Sequence, residues 1–273
     1  MMFEALRNLF GGKGESAAPQ ATRPRLSAEA WPDALYAVGD IHGCLDPLRA
    51  LEEQIFADAA EQGGEAWIVY LGDFVDRGPE SAGVLDRLTA RAPKNVRRIC
   101  LTGNHETMML DYLANPRADA DWLQFGGMET LFSYGLSQAV ITGPAKACRA
   151  ALASHIPDEH VAFLEGLALS MSVPGAVFVH AGLRSGVPLD QQVEKDLLWI
   201  RTEFFNAEPE PGRLVVHGHT PGEAPIVAPG RICIDTGVFA TGRLTGVRLF
   251  PDGEPRFFTG TSAASNQQGS FAP

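Results

Sequence analysis

The sequence predicts an α/β protein with one active-site crevice. Short apolar stretches that suit buried strands alternate with stretches whose apolar residues recur at helical spacing. Five polar motifs rich in glycine each follow such an apolar stretch, and they are Gly39–Gly43, Gly72–Gly78, Gly103–Glu106, His180–Gly182 and His217–Thr220. Because ligand sites of open α/β sheets lie beyond the carboxyl ends of the strands, we expect the five motifs to meet in one place.

The individual elements are assigned in chain order. Strands are predicted directly before the motifs, at residues 35–38, 66–71, 96–101, 176–179 and 214–216. Asp46 and Pro47 resemble a helix cap followed by a first-turn proline, so a helix is expected after the first motif. Another helix is expected over residues 80–91. Two late apolar stretches, Arg231–Asp235 and Arg243–Phe250, are separated by turn residues and are predicted to form a hairpin.

The chain is predicted to contain one folded domain, over residues 31–259. Residues 1–30 and 260–273 are rich in small and polar side chains, so we expect both to be flexible tails. Residues 107–172 interrupt the alternation of strands and helices with mainly helical patterns, and we interpret them as an inserted helical cap. The aromatic side chains of this cap are expected to pack in its core.

Composition excludes several classes of protein. The chain has a formal charge of −11, and a protein this acidic repels the phosphate backbone, so nucleic acid is not an expected partner. No apolar stretch approaches the roughly 20 residues that span a bilayer, and residues 1–10 lack a signal-peptide pattern. The four scattered cysteines are interpreted as reduced thiols. We therefore expect a cytoplasmic protein without stable membrane insertion, and the sequence leaves its oligomeric state open.

The polar side chains of the motifs favour a pair of metal ions. They offer carboxylate, imidazole and amide donors from Asp40, His42, Asp73, Asn104, His180 and one of His217 and His219. This mixture lacks thiolate and is too rich in nitrogen for calcium, so manganese is the expected metal, with iron and zinc as alternatives. Asp40 and His42 share one face of an extended segment and can reach one ion. Asp73 can bridge to a second ion, and two ions roughly 3.5–4 Å apart suit phosphoester hydrolysis.

The same motifs supply groups for the chemistry of such a site. Water held between two divalent ions is a nucleophile at neutral pH. The guanidinium of Arg77 offers a fork of donors that matches phosphate oxygens. His105, oriented by a carboxylate such as Asp76, can give a proton to the leaving alkoxide. Each motif alone is a weak signal, and it is the ordered set of five that indicates a phosphoesterase.

As a set, the motifs resemble the phosphoprotein phosphatase family of the calcineurin-like metallophosphoesterase superfamily, in its bacterial branch, over about residues 35–250. The resemblance implies a four-layer α/β/β/α sandwich with a dinuclear centre above two facing sheets. It implies that Asp40 and His42 hold one ion and that Asp73 bridges to the other. The ligands that it assigns to the second ion are Asp73, Asn104, His180 and His219. His217 would then pack beside the site or support it.

The resemblance also implies roles around the substrate. His105 would be the general acid with Asp76 as its partner, and Arg77, Arg201 and Asn104 would contact the phosphate. Arg201 has the weakest motif support, and a cation on a helix surface is the alternative interpretation. In eukaryotic members a tyrosine follows in the region that corresponds to residues 234–237, and this chain has none there. Inhibition by the toxins that act on those enzymes is therefore not assumed.

The expected activity is metal-dependent dephosphorylation of phosphoserine and phosphothreonine proteins. The alternative is hydrolysis of dinucleoside polyphosphates or other small phosphoesters by the same metal centre. Glu106 and Thr220 favour the protein phosphatase, because the dinucleoside hydrolases tend to have other residues at the corresponding positions. A third reading, a binding module without activity, requires a broken site, and no member of the motif set is missing.

Overall fold

The computed structural model describes residues 23–262, which form two facing β-sheets between layers of helices. The strands are β1 (Arg25–Ser27), β2 (Ala34–Val38), β3 (Ala66–Tyr70), β4 (Val96–Cys100), β5 (Ser170–Val173), β6 (Ala176–Val179), β7 (Leu214–His217), β8 (Ile226–Ala228), β9 (Arg231–Cys233), β10 (Arg243–Leu249) and β11 (Arg256–Thr261). The helices are α1 (Leu45–Gln62), α2 (Ser81–Thr89), α3 (Asn104–Ala114), α4 (Gly127–Ser133), α5 (Gln138–Ile141), α6 (Ala145–His155), α7 (Asp158–Glu165), α8 (Glu194–Trp199), α9 (Thr202–Phe205) and α10 (Val238–Thr241).

Each sheet has a parallel centre with antiparallel neighbours. The first sheet has the strand order β1-β5-β6-β7-β9-β8, and β6, β7 and β9 run parallel in it. The second sheet has the order β11-β10-β2-β3-β4, and β2, β3 and β4 run parallel. The carboxyl ends of these parallel strands are therefore the positions from which both sheets can supply site residues.

Alternating side chains of the central strands divide the core into layers. Leu35 and Val69 face the first sheet and pack with residues such as Phe178 and Val216. Tyr36 and Ile68, one position along, face the opposite way into a core shared with helices α1 to α7. A third cluster lies between the first sheet and α8. The predicted four-layer α/β/β/α sandwich is thus confirmed.

Both faces of β2 and β3 are buried, which explains why their sequences are almost entirely apolar. The exceptions are two tyrosines whose hydroxyls find carboxylates on α1. Tyr36 donates to Asp58 over 2.6 Å, and Tyr70 donates to Glu52 over 2.5 Å. These bonds satisfy polar groups that would otherwise be costly to bury, and they fix α1 against the sheet.

Four boundaries differ from the sequence predictions. Residues 25–27 form β1 beside β5, and residues 260–261 end β11, so the two predicted tails were too long at these positions; residues 1–22 and 263–273 lie outside the described part. The predicted cap over 107–172 also misses both of its ends, since α3 begins at Asn104 and residues 170–172 belong to β5. Its helices join α1 and α2 in the layer that covers the second sheet.

The predicted late hairpin is wrong. β9 pairs with β7 and β8 in the first sheet, whereas β10 pairs with β2 and β11 in the second. Turn residues between two apolar stretches indicate a change of direction but not which partner each strand finds. Within residues 23–262, no helix combines the length and apolar character needed to cross a membrane. The four cysteines, all described, form no disulfide.

Candidate active site

The ends of five strands bring the predicted motifs into one crevice. Strands β2, β3, β4, β6 and β7 lead to Asp40, Asp73, Asn104, His180 and His219, respectively. All five of these side chains are buried. The apolar stretches of the sequence therefore position the polar residues that follow them, as the order of the motifs indicated.

Asp73 lies at the centre of the crevice. Its Oδ2 is 3.5 Å from His42 Nε2 and 3.9 Å from His105 Nε2, whereas its Oδ1 is 3.5 Å from His180 Nε2. Two groups of side chains could each hold a metal ion, His42 with Asp73 and His105, and Asp73 with His180 and His219. The ligand atoms within each group lie within 4.8 Å of one another. Asp73 belongs to both groups, so its carboxylate is placed to connect two cations.

The backbone of the crevice is held in an uncommon conformation. Five of the six described non-glycine residues with positive φ are His42, Asp73, Asp76, Arg77 and His219. A left-handed backbone costs such residues free energy and is typical of functional sites. Gly103 and Gly218 allow a close approach, because a Cβ atom there would collide with the carboxylates of Asp73 and Asp40.

On the side of Asp73 that Oδ2 faces, the ring of His42 is oriented by the loop after β3. Its Nδ1 donates to the carbonyl oxygen of Val75 over 3.0 Å, which leaves Nε2 as the acceptor facing the crevice. Burial lowers the pKa of His42 to about 3, so the ring is neutral at neutral pH. A neutral imidazole with its second nitrogen bonded to a carbonyl is the form in which histidine binds metals.

On the second side, three side chains converge. His180 Nδ1 donates to the carbonyl oxygen of Leu71 over 2.9 Å, which turns the unprotonated Nε2 toward the crevice. Asn104 Oδ1 lies 3.0 Å from both His180 Nε2 and His219 Nδ1. His180 Nε2 and Asn104 Oδ1 are then both acceptors, and a cation would satisfy the two at once. Burial lowers the pKa of both histidines, that of His219 to about 2.

Asp40 lies beside these groups but belongs to neither. Its Oδ2 accepts the backbone N–H of His219 over 3.0 Å, whereas its buried Oδ1 finds no hydrogen-bond partner among residues 23–262. Burial raises the pKa of Asp40 well above its usual range, and the charges of Asp235 and Asp73 add to this effect. A buried carboxylate with an unsatisfied oxygen is costly, so these residues fit a site for divalent cations.

His217, the other histidine of the last motif, points elsewhere. Its ring packs against Phe204 and Phe205, with centroids 5.1 and 5.8 Å away. Its Nδ1 bonds to the carbonyl oxygen of Gly218. His219 lies in the crevice, so the two histidines of this motif occupy different environments.

His105 and Asp76 form a closely bonded pair beside Asp73. His105 Nδ1 donates to Asp76 Oδ2 over 2.6 Å. The Asp76 carboxylate is held in turn by Trp122 Nε1 at 2.7 Å and by the hydroxyl of Thr130, also at 2.7 Å. Burial alone would lower the pKa of His105, but Asp73 and Asp76 raise it overall. A histidine with a raised pKa and a fixed Nδ1 proton is suited to donate a proton from Nε2.

Two arginines contact the crevice from different loops. Arg77 donates to His42 Nε2 over 3.0 Å, and its other terminal nitrogen lies 3.1 Å from His105 Nε2. Arg201 donates through Nε to His219 Nε2 over 3.1 Å. Both predicted phosphate-binding arginines therefore reach the group of predicted ligands. Arg201 is also exposed and directly precedes α9, so it is a cation at a helix surface as well, and its contact with the phosphate stays a prediction.

Arg77 competes with a cation for His42 Nε2, which leads to a testable prediction. Replacing Arg77 with Gln removes a positive charge and a hydrogen-bond donor from that nitrogen. We expect the affinity for the first manganese ion to rise roughly tenfold or more, a Coulomb effect of modest size at this distance. Calorimetric titration of the metal-free protein with Mn²⁺ measures it, with the exposed Arg49→Gln as control. Unchanged or weaker binding would contradict the competition.

Glu106 does not face the crevice but supports its floor. Its carboxylate accepts backbone N–H groups of Asp73 at 2.8 Å, Phe74 at 2.6 Å and Gly103 at 2.7 Å. It therefore ties the loop after β3 to the start of α3. Because its side chain is bonded to the backbone, Glu106 does not itself face the substrate, and the substrate preference inferred from its residue type stays a prediction.

The substitution Glu106→Gln tests whether this carboxylate stabilises the loop after β3. The amide of glutamine would bring N–H donors against backbone N–H groups, and a charge-assisted bond would be lost. We expect the free energy of unfolding to fall by about 2 kcal/mol or more. Burial raises the pKa of Glu106 to about 7, so urea unfolding is best measured at pH 8, where the carboxylate is ionised. The exposed Glu53→Gln is the control, and equal stability of the two variants would refute this role.

Several residues around the crevice were not predicted from sequence. Asp235 is buried after β9, and its charge helps to raise the pKa of Asp40. Trp122 and Thr130, which hold Asp76, come from the helical insertion, where no local pattern marks them. Phe239 lies 5.4 Å from the His42 ring and 4.7 Å from the Arg77 guanidinium, and Trp199 lies 6.0 Å from the His219 ring. Only their three-dimensional positions relate them to the site.

The facing sheets carry two groups of side chains at their strand ends that could each hold a metal ion. The chain belongs to the calcineurin-like phosphoesterase family, whose model matches residues 34–238.

Comparison with individual proteins gives partial matches of two kinds. The chain is 42% identical over 79 residues to a symmetrical bis(5'-nucleosyl)-tetraphosphatase of Ectopseudomonas mendocina (strain ymp), covering 28% of this chain and 26% of that protein. It is 35% identical over 109 residues to serine/threonine-protein phosphatase 1 of Salmonella typhimurium, covering 40% and 45%. The matched segments span less than half of either relative. A solved structure described as a candidate diadenosine tetraphosphatase has a TM-score of 0.59 at 24% identity, covering 88% of this chain and 99% of that one, which supports the fold alone.

Proposed function

We propose that this enzyme removes phosphate from phosphoserine and phosphothreonine residues of proteins. The observation that carries the proposal is a groove of about 470 Å³ that opens to solvent beside Arg77. Its lining residues are Arg77, Leu123, Gln124, Phe125, Gly126, Met128, Glu129 and Phe239. Four of these eight residues have large apolar side chains, and of these Phe125 is 55% exposed and Phe239 is 43% exposed. Such a surface suits the side chains next to a phosphorylated residue of a polypeptide.

In this proposal, the ligand groups of the crevice hold two divalent ions, with manganese as the expected metal. Asp40 and His42 serve the first ion, and Asn104, His180 and His219 serve the second, with Asp73 between them. Bound there, the ions would withdraw charge from the phosphoryl group and make water a better nucleophile.

The residues around the two groups would position the substrate. Arg77 lies at the end of the groove and would grip the phosphate oxygens, and Arg201 would do so from the opposite side. Asn104 would orient one phosphate oxygen through its remaining amide group. His105, which is hydrogen-bonded to Asp76, would donate its proton to the serine or threonine oxygen as the bond between that oxygen and phosphorus breaks.

The groove is tested with a phosphoserine peptide that carries apolar residues on both sides of the phosphoserine. We expect Phe125→Ala to reduce kcat/KM for this peptide roughly five- to tenfold, because an apolar contact is lost in the bound state. The value for p-nitrophenyl phosphate, which is too small to fill the groove, should not change. Phe132→Ala is the matched control, since Phe132 is 45% exposed and does not line the groove. Equal losses on both substrates would contradict peptide binding there.

A second candidate function is hydrolysis of dinucleoside polyphosphates, and one observation favours it. Phe239 lies at the His42 side of the crevice, and Trp199, which is 45% exposed, lies at the His219 side. Each ring has an arginine of the crevice nearby, Arg77 or Arg201. Two aromatic surfaces on either side of a phosphate site could stack the two bases of such a substrate.

The two candidates are separated by parallel assays of the manganese-loaded enzyme. We expect kcat/KM for the phosphoserine peptide to exceed that for diadenosine tetraphosphate by roughly tenfold or more, a difference of 1.4 kcal/mol in transition-state binding. A preference for the dinucleotide that Trp199→Ala abolishes would replace the first proposal with the second. A phosphotyrosine peptide in the same series defines the range of residues accepted.

A further inference from the structure

A second cavity, of about 210 Å³, lies on the outer side of the first sheet, away from the metal-ligand groups. We call it the α9 cavity, because Phe204 and Phe205 of α9 form one wall of it. Leu183 and Val215 contribute to its apolar floor, and Val215 belongs to β7, the strand that leads to His219. Its volume lies below the roughly 300–1,000 Å³ of sites for drug-sized ligands, so it suits a molecule with one ring.

One of the three arginines at the mouth of the cavity has no ion-pair partner among residues 23–262. Arg184 is bound by Asp196 over 2.5 and 2.7 Å, and Arg213 is paired with Glu210. Arg231 has no ion pair or side-chain hydrogen bond with residues 23–262 and rests on the ring of Phe205, 4.8 Å from its centroid. A half-buried guanidinium beside an apolar floor is a natural partner for an anion with an apolar body.

Glu208 is the other unpaired charge at this mouth, and its sign opposes an anion. Its side chain belongs to an exposed residue at the rim, where water and salt screen its field. Arg231, by contrast, is partly buried, so its charge is screened less. The balance of the two favours a ligand whose negative group sits at Arg231.

One wall of the α9 cavity contacts the two segments that carry the predicted ligands His180 and His219. Phe204 packs so closely on Gly182 that a Cβ atom there would collide with its ring, and Gly182 follows His180 by two residues. The same phenylalanine contacts the ring of His217, two residues before His219. Arg201, which donates to His219, accepts the backbone N–H groups of Phe204 and Phe205 through its carbonyl oxygen.

Helix α9, which lies between the cavity and the predicted ligands, buries little of its surface. α9 contains four residues, and none of them is buried. Short segments with little buried apolar surface have low local stability and can be ordered by a ligand. A molecule that fills the cavity would press against Phe204 and Phe205 and thereby restrict α9 and the arginine at its start.

We propose that the α9 cavity is an effector site for a small amphipathic carboxylate, an aryl carboxylate being the best fit. Its carboxylate pairs with Arg231, its ring lies against Phe204 and Phe205, and its binding holds Arg201 in position for the substrate phosphate. This inference does not depend on which phosphoester the enzyme hydrolyses.

Binding is tested with benzoate that carries a trifluoromethyl group, followed by fluorine NMR on the manganese-loaded enzyme. We expect Arg231→Gln to weaken binding about tenfold, the range for one charge-assisted bond, whereas Arg49→Gln should have no effect. Ala207→Phe, which fills the cavity, should abolish binding. The neutral benzamide analogue should bind the wild type more weakly than the benzoate does. Its affinity should be the same for the wild type and for Arg231→Gln. Carboxylate binding that is equal in wild type, Arg231→Gln and Ala207→Phe would overturn the assigned site.

Coupling is tested separately, through inorganic phosphate. We expect saturating phosphate to tighten binding of the benzoate probe by roughly fivefold, and the probe to tighten phosphate binding by the same factor, as linkage requires. In Arg201→Gln the probe should still bind, but phosphate should no longer change its affinity. Phosphate and probe that bind independently in the wild type would overturn the effector role, even if the cavity is occupied. Neither measurement uses turnover, so the outcome is distinct from that for the proposed substrate.

Discussion

Replacing Asp73 with Asn is expected to remove most of the activity of this enzyme and its capacity to hold two metal ions. Asp73 is the only side chain shared by the two ligand groups in residues 23–262, and its two oxygens face different histidines. The amide of asparagine keeps one acceptor and loses the charge. A divalent ion contributes several kcal/mol to stabilising charge in the transition state, so kcat should fall by roughly 10³-fold or more.

The measurement combines turnover of p-nitrophenyl phosphate with metal analysis after dialysis against manganese. Asp46→Asn is the control, because Asp46 is exposed and pairs only with Arg49 within α1. Asparagine is close to aspartate in size and accepts the positive φ of residue 73, so Asp73→Asn should fold. A variant that keeps both full metal content and turnover would show that Asp73 does not bridge the two ions.

The residues of the site could be found from sequence because each is fixed by its immediate neighbours. β2 and β3 are buried on both faces, so their apolar runs are unambiguous, and the residue types that follow are rare in such positions. The prediction that distinguished His219 from His217 agrees with the structure, in which only His219 lies in the crevice. Their roles as metal ligands stay predictions.

What the sequence could not supply depends on contacts between distant segments. β9 pairs with a strand of the first sheet and β10 with a strand of the second, and the residues of the turn between them do not indicate these pairings. β1 has three residues, and only its pairing with β5 identifies it as a strand. Trp122 reaches Asp76 across 46 positions of the sequence, so a local pattern cannot reveal that bond.

The contacts of Glu106 also could not be inferred from the local sequence. It belongs to a motif whose neighbours face the crevice, and its residue type was used as an indicator of substrate. In the structure its carboxylate is consumed by backbone N–H groups, so its length matters for the loop rather than for recognition. In the proposals above, substrate preference comes instead from the groove beside Arg77 or from the rings of Phe239 and Trp199.

The second large effect is expected from His105→Asn. The histidine is held by Asp76 at 2.6 Å, and its Nε2 lies 3.9 Å from Asp73 Oδ2 and 3.1 Å from Arg77. In the proposed arrangement, this nitrogen would face the oxygen that leaves the phosphate. General acid catalysis contributes roughly 10²–10⁴-fold, so turnover of a phosphoserine peptide, whose alkoxide is a poor leaving group, should fall by that factor. Metal content should stay unchanged.

The nature of the leaving group separates this role from a structural one. p-Nitrophenolate leaves without protonation, so His105→Asn should reduce turnover of p-nitrophenyl phosphate far less than that of the peptide. Asp76→Asn should show the same pattern, because an amide at this position no longer fixes the proton on His105 Nδ1. A structural defect, or loss of an ion from the group that contains His42, would lower both rates alike. Equal losses on the two substrates would therefore assign His105 to the metal site rather than to proton transfer, since only an acid distinguishes the leaving groups.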